Sequence, residues 1–175
     1  MAMETIFKNH WETVFDATFK RTGNEVVAQD ITQEIFISLW ENRENLNIEQ
    51  SLSAYLYGAV KFKVINYYRS ISIRNGHQNE FVSLMNADSG IATDSKLLVK
   101  ELNLEVESAI ARLPEKMRIV ISMSRKEEKS IKEIADALDI SVQTVKNHIT
   151  AAMKVLRKNL SYILLLAILL LLTEN

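Results

Sequence analysis

Six residues near the C-terminal end, Gln143, Asn147, Thr150, Ala151, Lys154 and Lys158, recur at the spacing that puts side chains on one face of a helix. Two amides, a hydroxyl and two amines sit there with no carboxylate among them. Amides and hydroxyls match the donors and acceptors on base edges, lysines neutralise phosphates, and an acid on that face would repel the backbone of a nucleic acid. The plainer alternative is the solvated face of an ordinary helical hairpin. A second group, Lys61, Phe62, Ile65, Asn66 and Arg69, mixes cations, a ring and a flat amide. Cations track a phosphate backbone while rings and amides stack on or bond to unpaired bases, which is how single strands are held. Against this, Tyr55, Tyr57, Phe62, Tyr67 and Tyr68 can equally be core or rim aromatics of a bundle. A third group, Asp30, Gln33, Glu34, Ile37 and Glu41, lies around a segment that already carries Val27, Ile31, Ile35 and Leu39 in one stripe with Phe36 and Trp40 beside it. That is more apolar circumference than one small bundle needs, so the helix is either central or turned in part towards a partner.

The elements that must position these groups are helices. Ser130 and Glu133 have the capping-box spacing, and Ile131, Ile134, Ala135 and Leu138 follow at i, i+3, i+4 and i+7. Asp139 and Ile140 make a turn and Ser141 caps a second helix. Its apolar sector holds Val142, Val145, Ile149, Ala152, Met153 and Leu156. Residues 130–157 therefore read as a helix-turn-helix. Upstream, Ile6, Phe7, Trp11, Val14, Phe15, Thr18 and Phe19 predict a helix over about 4–21, ended by Thr22, Gly23 and Asn24. The next helix runs over about 24–42. After a polar spacer, Leu56, Val60, Val64, Tyr67 and Ile71 form the core stripe of a third. From Asn75 to about Ser95 the chain is rich in Asn, Ser, Asp and Gly, with an apolar island at Phe81, Val82, Leu84 and Met85, and reads as a domain boundary. Helical spacing resumes near Lys96 with Leu98, Leu102, Val106 and Ile110. It breaks at Leu113 and Pro114, where Pro114 suits the first position of a helix bearing Met117, Ile119, Val120 and Met123.

The expected fold is all-α: two small helical domains joined by a flexible linker, the second containing the helix-turn-helix. The domains are 1–75 and 96–161, with a linker over 76–95 and an apolar tail over 162–175. Composition agrees. Among 175 residues there are four glycines, one proline and no cysteine, which argues against turn-rich sheets, disulfides and thiolate metal sites. The net charge of -1 requires any basic footprint to be local. Two acid-free stretches supply candidates, one with Lys61, Lys63, Arg69 and Arg74, the other with Lys146, Lys154, Arg157 and Lys158. An enzyme is poorly motivated, because His10, His77 and His148 are scattered without metal-ligand spacing and no glycine-rich phosphate loop is present. No metal, cofactor or small-molecule substrate is expected, and the N-terminus has no basic-then-apolar signal segment. The tail YILLLAILLLL, 162–172, would reach only ~17 Å as a helix against the roughly 30 Å of a bilayer core. Packing on the chain or on a partner is the expectation, and a membrane-associated adaptor is the competing one.

Two separated blocks resemble the sigma-70 family, specifically its two-domain ECF (extracytoplasmic-function) subfamily of transcription initiation factors. DITQEIFISLW, Asp30 to Trp40, is similar to the family's core-polymerase-binding signature, and AYLYGAVKFKVINYYR, Ala54 to Arg69, resembles its promoter-melting and minus-ten element. Leu113-Pro114 and KEIADALDISVQTVKNHI resemble its fourth region, which reads the minus-thirty-five element. The resemblance implies core-polymerase contacts at Asp30, Gln33, Glu34, Ile37 and Trp40. It implies minus-ten contacts at Lys61, Phe62, Asn66 and Arg69, although many members carry asparagine where Phe62 stands. It implies minus-thirty-five contacts at Gln143, Thr144, Lys146, Asn147, Thr150 and Lys154, with Lys129 as a further phosphate contact. The implied partners are core RNA polymerase, promoter DNA and an anti-sigma factor, and the implied location is the cytoplasm, held near the membrane through that partner. The rival is a LuxR-type regulator, whose helix-turn-helix is also similar to KEIADALDISVQTVKNHI. Such a protein normally carries a receiver or ligand-binding domain at its N-terminus, and residues 1 to 75 have no buried strands of that kind.

Overall fold

The computed structural model describes residues 2–44, 51–74 and 104–159, and among these every regular element is a helix. Helices α1 (Ala2–Thr22), α2 (Glu25–Glu41) and α3 (Leu52–Arg74) make one bundle. A helical run at 104–111 joins α4 (Glu115–Lys126), α5 (Ile131–Leu138) and α6 (Val142–Asn159) in the second. The proposed linker over 76–95 and the apolar tail over 162–175 lie outside the described residues.

Local chemistry sets the boundaries. Gly23 closes α1 at φ +57°, a left-handed conformation that costs glycine little, and its N–H donates to the Phe19 carbonyl at 2.7 Å. Asn24 then caps α2, its Oδ1 accepting from the Val27 N–H at 3.2 Å. Ser51 does the same for α3 through the Ala54 N–H, also at 3.2 Å. Pro114 differs from expectation by one position: with φ -50° and ψ 144° it is the N-cap of α4, and Glu115 is the first helical residue.

In the first bundle, Val14 and Ala17 of α1 meet Ile31, Ile35, Phe36 and Leu39 of α2 and Leu56, Val60, Val64 and Tyr68 of α3. Burying each large side chain is worth roughly 1.5–3 kcal/mol. Thr18, Thr22 and Thr32 are buried among them without penalty, since each hydroxyl donates to the carbonyl four residues back, at 2.8, 3.0 and 2.7 Å. The stripe of α3 differs from the expected one at its end: Tyr68 is fully buried and Tyr67 and Ile71 are half-buried. The reason is polar. The Tyr68 hydroxyl donates to the Arg21 carbonyl at 3.0 Å, a partner that only the inward position reaches.

The second core gathers Val106, Ile110 and Leu113, then Val120, Ile121 and Met123 of α4, Ile131, Ile134 and Ala135 of α5, and Val145, Ile149, Ala152, Met153 and Leu156 of α6. Val142 and Ile119, expected in apolar stripes, are exposed, because both lie at the edge of their sector. Phe19 of α1 and Ala28 of α2 belong to this second core as well. The bundles therefore pack on each other, and Gly23 lies against Met153 of α6: a Cβ on residue 23 would stand 2.6 Å from that of Met153.

Candidate nucleic-acid interface

The helix-turn-helix is held by reciprocal caps. Ser130 Oγ accepts from the Glu133 N–H at 3.2 Å, and Glu133 Oε2 accepts from the Ser130 N–H at 2.7 Å and from its hydroxyl at 2.8 Å. These bonds, the backbone one foremost, hold the Glu133 carboxyl below its usual pKa. Asp139 makes the turn in a left-handed conformation, φ 52°, which an Asx residue tolerates, and the Ile140 N–H returns to the Ala135 carbonyl at 3.1 Å. Ser141 caps α6 by accepting from the Thr144 N–H at 3.0 Å, and its hydroxyl also meets the Thr144 hydroxyl at 2.8 Å.

With α6 anchored by Val145, Ile149, Ala152, Met153 and Leu156, the side chains of Gln143, Asn147, Thr150 and Lys154 are exposed together along one face. Gln143 Nε2 donates to Asn147 Oδ1 at 3.1 Å. That bond fixes two amides relative to each other and leaves Asn147 its donor pair and Gln143 its carbonyl. Thr144 is half-buried, its hydroxyl on Ser141. Lys146 stands apart from the others. Its side chain is only 18% exposed, it is paired with Glu25 Oε1 at 2.7 Å, and it lies 5.0 Å from the ring centre of Phe15. Two further cations of the expected basic footprint are also committed elsewhere. Arg157 donates to the Thr22 carbonyl and, at 2.8 Å, to the Tyr68 hydroxyl, while Lys63 pairs with Glu34 at 2.9 Å. Lys129 Nζ lies 2.6 Å from Glu127.

On α3, Phe62 is 64% exposed, Arg69 is exposed, and Lys61 and Asn66 are half-buried, all at the spacing of one helical face. On α2, the buried Ala28, Ile31, Thr32, Ile35, Phe36 and Leu39 leave Asp30, Gln33, Glu34, Ile37 and Trp40 exposed. Ile37 and Trp40 show more than half their surface, and Arg43 stacks on the Trp40 indole at 4.2 Å. Beside them is a group that the helical periodicity assigned to the core. Phe7 is exposed and packs on Trp11 and Phe36 at centroid distances of 4.7 and 5.1 Å. Its place one residue from Ile6, at the border of the apolar stripe, is the signal that separates the two.

The family models match on both sides. Sigma-70 region 2 covers residues 6–72 and the sigma-70 region 4 model covers 103–156. The chain belongs to the sigma-70 family, in its ECF group. Among curated relatives, it is 29% identical to the ECF RNA polymerase sigma factor SigW of Bacillus subtilis over 85% of this chain and 83% of that one. It is 24% identical to the ECF RNA polymerase sigma factor SigL of Mycobacterium tuberculosis over 90% and 88%, and 23% identical to the RNA polymerase sigma factor SigZ of Bacillus subtilis over 74% and 70%. Among solved structures, CnrH in complex with the cytosolic domain of CnrY aligns with a TM-score of 0.38 at 19% identity, over 90% of this chain and 86% of CnrH's. The sigma factor is thus a transcription initiation factor that directs RNA polymerase to promoters. A LuxR-type regulator is not favoured, since that reading explains the helix-turn-helix and leaves the match over 6–72 without an account. Among the described residues no helix is long and apolar enough to cross a membrane.

Proposed function

We propose that the sigma factor divides its task among three helical faces. The exposed row Asp30, Gln33, Glu34, Ile37 and Trp40 of α2 docks on core RNA polymerase. Lys61, Phe62, Asn66 and Arg69 of α3 hold the melted minus-ten strand. Gln143, Asn147 and Thr150 of α6 read minus-thirty-five base edges while Lys154 and Lys146 take phosphates, and Thr144 braces the start of the helix. The observation that carries this reading is the division of α2: one side is wholly buried, and the other presents Trp40 and Ile37, ringed by acids and an amide, to solvent. Large apolar side chains within a polar rim are the composition of a docking anchor. Each contact is weak alone, and joining them in one chain makes the second binding event intramolecular. Resemblance to the ECF group adds an anti-sigma partner that covers these surfaces and a cytoplasmic site of action, held near the membrane through that partner.

The test is reconstitution. The chain is expected to co-purify with core RNA polymerase and to support initiation at a promoter, mapped by sequencing transcripts after overexpression, that core cannot open alone. Trp40→Ala is expected to lose core binding while keeping its helix content. If Trp40→Ala and Ile37→Ala bind core as the parent does, the α2 face is not the dock.

A further inference from the structure

The second bundle carries a cavity of about 300 Å³ between the helical run at 104–111 and α4, and no residue of the helix-turn-helix lines it. The lining is part apolar, through Ile119 and Ile121, and part charged, with Arg118, Arg125 and Lys126 against one acid, Glu107. That acid is shared. Glu107 Oε2 accepts from Lys126 at 3.3 Å, while Oε1 lies 3.8 Å from Arg125 Nη1, beyond hydrogen-bond reach. Arg118 donates to the Ala111 carbonyl at 3.2 Å, which fixes it without offsetting its charge. Arg125 is the member least provided for. Its side chain is only 15% exposed, and its Nε and Nη1 are closed to water with no hydrogen-bond partner among the described residues. Burial pulls its pKa down, and Glu107 opposes that pull without cancelling it. A buried guanidinium with unmet donors costs stability. Its charge is also poorly screened, so an anion brought into the cavity feels it at a lower effective dielectric than at the open surface.

We propose that this cavity binds a small organic oxyanion, a carboxylate or a phosphate carried on an apolar body. Three cations against one carboxylate leave two positive charges unmatched, which selects an anion. The volume stands at the lower end of the roughly 300–1,000 Å³ of small-molecule sites, and the two isoleucines offer an apolar body a surface to cover. The Ser122 hydroxyl, also in the lining, is a further donor to an oxyanion. The proposal accounts for Arg125, which stability alone does not call for: an apolar side chain there would bury no unmet donors. Because α5 and α6 contribute nothing to the lining, an occupant and a DNA duplex held on α6 do not compete.

The experiment uses the full chain and isothermal titration with phenyl phosphate, benzoate, inorganic phosphate and phenol. At least one of the first two is expected to bind about ten-fold tighter than inorganic phosphate and than phenol, since only they join a charge to a ring that can be buried. The tighter of the two tells phosphate from carboxylate. Arg125→Met is expected to weaken that binding by about ten-fold while its urea midpoint equals or exceeds the parent's. Glu107→Gln, at an exposed position, removes the competing carboxylate and is expected to tighten binding by roughly two- to five-fold. That gain keeps the test valid should Arg125→Met disturb the packing of α4. A DNA duplex of random sequence is expected to leave the affinity unchanged. Ring-bearing anions that bind no tighter than inorganic phosphate overturn the proposal, and so does a Glu107→Gln variant that binds them no better than the parent. Displacement by the duplex overturns it too, because the cations then belong to the DNA grip. A lower urea midpoint in Arg125→Met with unchanged binding makes Arg125 a structural residue and has the same effect.

Discussion

Gly23→Ala is the sharpest probe of how the two bundles meet. Two penalties fall on the new methyl. At φ +57° an L-residue pays about 1–2 kcal/mol for the left-handed conformation. The same Cβ would stand 2.6 Å from Met153 Cβ and 2.8 Å from its Cγ, both rooted in α6 and unable to swing away. Overpacking of this kind costs typically about 1–3 kcal/mol. The sum, about 2–5 kcal/mol, is an upper bound, since parting the bundles relieves the collision. Gly23→Asn separates the terms, because asparagine tolerates the left-handed region yet carries the same Cβ. Urea unfolding is expected to place Gly23→Ala below Gly23→Asn by about 1 kcal/mol and both below the parent. Dye transfer between positions 9 and 136, labelled through N9C and D136C, is expected to be lower in each. Met153→Gly is expected to cost about 3–6 kcal/mol in the parent, about 2–5 for the buried side chain and about 1 for helix propensity, and less in the Gly23→Asn background, a favourable coupling. Losses under about 1 kcal/mol for both Gly23 variants, with dye transfer unchanged, would refute the packing of α6 on the α1–α2 corner.

Three further outcomes follow from the faces. Lys154→Ala is expected to weaken duplex binding across all sequences and to reduce the slope of log affinity against log salt by about one, as measured by anisotropy titrations between low and moderate salt. Asn147→Ala should instead relax preference at one base pair by roughly 1–3 kcal/mol, so equal losses on every promoter variant would contradict its role as a base reader. Glu133 supplies a pH test. Its folded pKa lies below the unfolded value, so the stability it contributes is present above the unfolded pKa and is lost as pH falls through the folded one. Glu133→Gln should flatten that part of the acid limb of the unfolding midpoint, and an unaltered limb would remove the capping box from the account.

Periodicity was a good guide wherever one helix face meets one environment. The capping box of Ser130 and Glu133, the cap at Ser141, the buried row of α6 and the exposed row of α2 are all local patterns, set within a few residues and readable from spacing. What could not be read were partners far away in the chain. Lys146 is 121 residues from Glu25, Asp16 is 115 from Ile131 and Arg157 is 135 from Thr22. No local rule distinguishes Lys146, turned towards the first bundle, from Lys154, exposed on the same helix. Tyr67 and Tyr68 are a milder case. Both are aromatic neighbours at the border of the stripe, and the choice between them is made by the Arg21 carbonyl and Arg157, which lie on other helices.

The shared core has a geometric consequence for a factor that reads two promoter elements. The minus-ten and minus-thirty-five elements are separated by about 25 base pairs, or roughly 85 Å of straight duplex at ~3.4 Å per step. Helix α3 has 23 residues and α6 has 18, so at ~1.5 Å each they span roughly 34 and 27 Å. Even end to end they fall short of the distance. They are not end to end: Arg157 of α6 bonds to Tyr68 of α3 at 2.8 Å. If α3 and α6 read the two elements as proposed, the readers touch in this arrangement, and both cannot reach their elements on a straight duplex until Phe19 and Ala28 leave the second core. On that proposal, parting the bundles is a required step of a two-element grip. The contacts that resist it include burial at those two residues, the Gly23–Met153 approach and the Arg157 link.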